Sequence, residues 1–255
     1  MGDIQFTSMP VLEHVLRGVK KEHAKKAKPT LIRLPITSTI LLKIRAVWEK
    51  DAKDFDKIML WAACCTCYFG FLRSGEVCVP SAKEYDSSAH LSIGDITVDS
   101  HEKPSVLSIN IKASKTDPYR QGVTIYLGAS DQLLCPVKAL LAYITARGQM
   151  PGPLFHFKDG QPLTREKLVT NLRAALSEAG MDPKSYAGHS FRIGAATVAH
   201  LNGIDDSTIM TFGRWKSDAY LRCIRIPKEH LAKISSNIAH LIDTNNRLVF
   251  QPIIE

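Results

Sequence analysis

Residues 55–71, FDKIMLWAACCTCYFGF, place apolar or small side chains around every face of a helix, with charge confined to Asp56 and Lys57. A helix that is apolar all round lies inside a core, so the rest of the chain must fold to cover it. A chain of 255 residues, 45% of them hydrophobic, has enough material to do this in one large domain, with room for a fragment of another. Cys64, Cys65 and Cys67 belong to this run and read as small buried hydrophobes. With Cys78, Cys135 and Cys223 they show no Cys/His spacing suited to zinc, so reduced thiols and no structural metal are expected.

The flanking segments show two periodicities. Residues 10–28, PVLEHVLRGVKKEHAKKAK, set Val11, Leu12, Val15, Leu16 and Val19 on one face of an amphipathic helix and end in a lysine-rich tail. Pro29 and Pro35 bracket PTLIRLP, which cannot continue a helix and predicts an extended linker and a domain boundary. After it, TSTILLKIRAVWEK and FDKIMLWAACCTCYFGFLRSGEV, which contains the apolar run and reaches Val77, predict two helices. HLSIGDITVDS, VLSINIKAS and GVTIYLG then alternate at period two and predict a small antiparallel sheet, with SKTDPYRQG as the loop between its last two strands. Helical periodicity returns in CPVKALLAYITARG, in LTREKLVTNLRAALSEAG with Thr164 as N-cap, in HSFRIGAATVAHLNG and in IPKEHLAKISSNIAHLID. The expected fold class is therefore mainly α with a small antiparallel β-sheet (α+β), without internal repeats.

The formal net charge of +8 favours a polyanionic partner such as nucleic acid. The first residues, MGDIQFTSMPVLEH, lack a basic segment followed by an apolar one, and no apolar run is long enough to span a bilayer, so an intracellular protein is expected. The basic stretch KKEHAKKAK suits a solvated helix end, a contact to a nucleic-acid backbone or a nuclear address.

Four cationic side chains stand at element boundaries: Arg73 after the core helix, Lys115 in the hairpin loop, and His189 and Arg192 at the start of HSFRIGAAT. Singly each has an ordinary explanation: a helix C-terminal charge for Arg73, a solvated loop residue for Lys115, a helix cap for His189. Jointly, FGFLRSGE, IKASKTD, YAGHSFRIGAAT and FGRWKSDAYLRCIR, in that order, resemble the tyrosine recombinase (phage integrase) family, in particular the recombinases of DIRS-like retrotransposons. The resemblance covers roughly residues 35–242.

That resemblance implies the fold of a DNA breaking-rejoining catalytic domain over 35–243. Residues 1–34 would be a remnant of a helical core-binding domain plus linker, and 244–255 a tail. The implied partner is double-stranded DNA, with self-association on DNA, no metal or nucleotide cofactor, no membrane, and a nuclear location. Position by position it makes Arg73 and Arg192 ligands of the scissile phosphate, for which a planar, always-charged fork is suited. It makes Lys115 the general acid for the departing 5′ oxygen, His189 a phosphate ligand and proton handler, and Trp215 an indole N–H donor to the phosphate. Glu76 would orient Arg73.

The nucleophilic tyrosine of this family would stand where this chain has Cys223. Tyr220, three residues earlier, is the alternative nucleophile, displaced by about 4.5 Å if the segment is α-helical. A cysteine thiol is more acidic than a phenol, and a nest of arginines is expected to lower its pKa further. Its side chain, however, lacks a whole ring of reach, so strand transfer in this chain is expected to be impaired. The competing expectations are a non-catalytic DNA-binding module and an inactive relic.

Overall fold

The computed structural model describes residues 10–26, 32–114, 117 and 119–239. The tail at 244–255, Lys115 and part of the expected linker therefore lie outside the described residues. The chain divides into two units, residues 1–32 and 33–255. In the first, α1 (Pro10–Lys26) is the expected amphipathic helix, with Leu12, Val15, Leu16 and Val19 exposed.

The second unit is built around the apolar run. Helix α3 (Phe55–Phe69) starts at Asp54, whose carboxylate accepts the backbone N–H groups of Asp56 and Lys57, and it buries Met59, Leu60, Ala62, Ala63, Cys64, Cys65 and Cys67. Helices α2 (Ser38–Trp48), α5 (Pro136–Arg147) and α7 (Ser190–Leu201) pack against it, and α6 (Arg165–Glu178) packs on α2. Thr164 caps α6 as expected, its Oγ1 accepting the Lys167 N–H at 3.2 Å. All six cysteines are free and buried.

Strands β1 (Ile96–Val98), β2 (Val106–Ile111) and β3 (Val123–Gly128) form an antiparallel meander in the order β1-β2-β3, with Ile109 opposite Ile96 on one side and Ile125 on the other. Leu107, Ile109, Ile111, Ile125 and Leu127 turn one face into the core. The first strand is shorter than its alternating pattern predicts. Ser92 and Asp95 close a capping box there, and residues 93–95 turn as a 3₁₀ segment before β1 begins.

The helix expected over 55–77 is split, α3 ending at Phe69 where Phe71 turns left-handed, and two further elements go beyond the expected set. The four-residue α4 (Ser74–Val77) follows Arg73. Helix α8 (Asp206–Gly213) starts at Asp205, whose side chain accepts the Thr208 N–H at 2.9 Å. A 3₁₀ segment, Asp218–Cys223, precedes α9 (Lys228–Ala239).

Residues 34–36 run along α7, with the Ile36 N–H donating to Ser190 O at 2.9 Å. Gly194 permits this approach, because a Cβ there would collide with the Ile36 carbonyl. Backbone cannot move aside as a flexible side chain can. Gly194→Ala is therefore expected to destabilise the protein by about 2 kcal/mol or more, despite alanine's better helix propensity, read as a lower urea midpoint.

Candidate functional site

Arg73 caps α4 at the end of the tight turn that follows α3, where Phe71 adopts a left-handed φ of 50°. Glu76 lies one turn on and is 8% exposed. Its carboxylate accepts the Arg73 backbone N–H at 2.7 Å and Arg73 Nη1 at 3.4 Å. The expected partnership between these two residues is thus present, made more through the backbone than through the guanidinium.

Arg192, in the first turn of α7, is fully buried. Its Nη1 donates to Phe71 O and its Nη2 to Gly213 O, and the guanidinium carbon lies 3.9 Å from the centre of the Trp215 ring. Trp215 folds back over Gly213, where a Cβ would overlap its ring. Burial, then the charges of Arg73 and Arg214, push the Arg192 pKa down to about 10, which leaves it charged at neutral pH.

His189 precedes α7, but its side chain caps nothing. Its Nε2 instead lies 3.7 Å from Cys223 Sγ. The ring keeps part of its surface exposed. Partial desolvation, followed by the charges of Arg192, Arg73 and Arg225, holds its pKa below the ordinary histidine value, so it is neutral at pH 7.

Cys223 is 4% exposed, packed with Ile193, Ala196, Ile209 and Tyr220. The expectation of a lowered thiol pKa is corrected here. Arg192, Arg225 and Arg73 do pull it down, but burial outweighs them and the thiol lies above its ordinary value. Thr197 on α7 fixes this stretch of backbone, donating from Oγ1 to Cys223 O at 3.2 Å and accepting the Arg225 N–H at 3.0 Å.

Tyr220 shares the face of Cys223, but the segment is 3₁₀ rather than α, so the offset along the axis is nearer 6 Å. The ring is buried against Trp215 and its hydroxyl pairs with Asp206. That hydrogen bond, burial and the acidic neighbours Asp206 and Asp218 raise its pKa, the opposite of what activates a phenol.

A cavity of about 200 Å³ opens among Arg73, Ser74, Gly75, Glu76, Ser114, Arg165 and His189. Lys115 lies outside the described residues, but its neighbour Ser114 lines this cavity. Arg73, His189, Arg192, Trp215 and Cys223, spread over 150 positions of sequence, are thus linked by direct contacts or a shared charge field, and Tyr220 is turned to a different partner. Arg214, which sequence reasoning passed over inside GRW, donates from Nη2 to Glu76 Oε2 at 3.0 Å. Thr197 carried no signal in the sequence at all. Two guanidiniums, of Arg73 and Arg214, pair with the Glu76 carboxylate, Arg192 lies within its field and Arg225 acts on His189 and Cys223. Arg192, Arg214 and Arg225 each bury an Nε without a hydrogen-bond partner among the described residues. So much uncompensated positive charge suits an anion. Among the described residues no group of three or more His, Cys, Asp or Glu side chains is placed to hold a metal ion, and no helix is long and apolar enough to cross a membrane.

No family model matches the chain. Over 141 residues, 51% of its length, it is 30% identical to an integrase/recombinase xerD homolog of Selenomonas ruminantium, and it spans 39% of that protein. Among solved structures it is similar to the XerH site-specific recombinase bound to palindromic difH substrate in a post-cleavage complex, with TM-score 0.60 and 16% identity over 83% of this chain and 55% of that one. It is similar to XerA recombinase, with TM-score 0.58 and 18% identity over 83% and 66%. It is also similar to a lambda integrase(75-356) dimer bound to a COC′ core site, with TM-score 0.52 and 18% identity over 90% and 66%. The fold is that of the tyrosine recombinase catalytic domain, and the sequence is similar over half of the chain to an integrase/recombinase.

Proposed function

We propose that this chain is a tyrosine recombinase-like DNA-binding domain for DNA recombination or integration, and that its strand breakage is impaired because Cys223 stands at the nucleophile position. The observation that carries the reading is the cluster of cations with a single paired carboxylate: Arg73 and Arg214 share Glu76, and the buried Arg192 is held beside them by Phe71 O and Gly213 O. A backbone phosphodiester is the anion of matching charge: Arg73, which lines the cavity, and Arg192, once it exchanges the carbonyls of Phe71 and Gly213 for DNA, take its non-bridging oxygens, and the same donors stabilise the extra charge of a five-coordinate phosphorus.

In the full reaction a nucleophilic oxygen would bond to phosphorus as the bond to the 5′ oxygen breaks, leaving a 3′-phosphotyrosine. The departing oxygen would take its proton from Lys115, while neutral His189 accepts the nucleophile's proton and Trp215 holds Arg192 and donates its indole N–H. Cys223 meets His189 but is buried, raised in pKa and a ring too short. These features equally favour a second reading, a non-catalytic element-derived module that binds DNA without cutting it. The DIRS-like retrotransposon origin, and with it a nuclear location, rests on the motif set ending in GRWKSDAYLRCIR; residues 1–34 would be the core-binding remnant plus linker. Duplex DNA as partner and assembly of several copies on it are supported by the DNA-bound complexes of XerH and of the lambda integrase dimer.

Binding of a duplex should weaken steeply with salt. If four arginines neutralise phosphates, the slope of log K against log [salt] is expected near −3 to −4. Absence of measurable binding at low ionic strength would remove both readings.

A further inference from the structure

We propose that Arg214 is a positioning residue of this pocket, acting through Glu76 to keep the Arg73 guanidinium free for its anion. The inference rests on the phosphodiester reading above. Glu76 is buried, and the guanidinium nearest its carboxylate is not that of Arg73, three residues away, but that of Arg214, 138 residues on. The two contacts are 3.0 Å and 3.4 Å, and Glu76 Oε2 also holds the Arg73 backbone N–H at 2.7 Å. A buried carboxylate demands a cation. Without Arg214 the demand would fall on the Arg73 fork, which would turn toward Glu76 and compete with the phosphate for the same N–H groups. With Arg214 in place, Glu76 is neutralised by a guanidinium other than that of Arg73 and grips Arg73 chiefly by its backbone.

The local backbone is shaped for this task. Arg214 closes α8 in the left-handed conformation, φ 56° and ψ 42°, a place where glycine or asparagine is the ordinary choice. Arginine there forgoes an easier cap and gains a side chain that reaches Glu76. The turn lets three consecutive residues address the pocket: Gly213 O accepts from Arg192, Arg214 holds Glu76, and the Trp215 ring lies over Arg192. Phe71, also left-handed, supplies the other carbonyl for Arg192. Strained non-glycine residues on both sides of one arginine fit a site whose geometry is maintained against local preference.

The test is a double-mutant cycle read by DNA affinity. Arg214→Gly keeps the left-handed backbone and removes the guanidinium; it is measured alone, with Arg73→Ala, and beside Arg214→Lys, using a labelled random-sequence duplex over a salt series. Arg214→Gly is expected to weaken binding about tenfold in the wild-type background and to have no effect once Arg73 is alanine, with Arg214→Lys recovering part of the loss. Should the Arg214→Gly protein lose its fold, Arg214→Gly with Glu76→Gln removes the orphaned carboxylate and takes its place in the cycle. Additive losses, with the salt slope falling by about one further unit, would show Arg214 to be a direct phosphate contact and overturn the proposal. If Arg73→Ala alone left affinity unchanged, the phosphodiester reading itself would fail, an outcome separate from additivity.

Discussion

Incubated with nicked duplex DNA, a Cys223→Tyr protein is expected to form a denaturation-resistant adduct at least about 100-fold faster than the natural chain, which should trap little or none. The expectation follows from three properties of Cys223. Its side chain stops a ring short of where a phenolic oxygen would meet phosphorus. It is 4% exposed, so an attacking thiolate must first be uncovered. And burial holds the thiol above its ordinary pKa against the pull of three arginines, which keeps it protonated at neutral pH. His189 Nε2 already stands 3.7 Å from this position and is neutral, ready to accept a proton from tyrosine there. The larger side chain costs about 1–3 kcal/mol if it packs into the cluster of Ile193, Ala196 and Ile209, so the fold is checked by thermal melting alongside. Trapping by the natural chain at an equal rate, with the adduct mapped to Cys223 or Tyr220, would refute the reading of impaired cleavage.

In the Cys223→Tyr background, Arg192→Lys should slow adduct formation by a factor on the order of 10²–10³. Lysine keeps a charge but not the fork, and the fork is what joins Phe71 O to Gly213 O while presenting a flat face to Trp215. The same substitution leaves two carbonyls and an indole face without their partner inside a packed site, so a loss of about 1–3 kcal/mol in stability is expected as well. Stopped-time trapping measured beside urea midpoints separates the two effects. A rate within a few-fold of the parent would mean that Arg192 is a structural arginine and that the anion is held by Arg73 alone.

Much of this architecture was legible in the sequence because it is local. The all-round apolarity of residues 55–71, the period-two alternation of the strands and the cap at Thr164 each depend on neighbours within one or two turns, and each was found where expected. Helix α8 escaped notice although Asp205 and Asp206 mark its start, since eight residues carry too little periodicity to stand out from a turn. The first strand was read too long because its alternation continues through Ser92–Asp95, where a side-chain capping box turns the backbone instead.

For the site, the sequence alone determined which side chains are available: Arg73, His189, Arg192 and Trp215, and a cysteine in place of the expected tyrosine at 223. Tertiary structure decided what each has become. Whether the Cys223 thiol is acidified or not is a contest between three arginine charges and burial, and burial is set by Ile193, Ala196, Ile209 and Tyr220, which no local pattern groups together. The 3₁₀ winding of Asp218–Cys223 and the hydrogen bond to Asp206 give Tyr220 a partner of its own. The role of Arg214 exists only because a left-handed turn brings it to a carboxylate 138 residues away. Periodicity and capping report energies summed over a few adjacent residues, whereas desolvation and ion pairing sum over whatever the fold brings close, and that sum has no address in the linear chain.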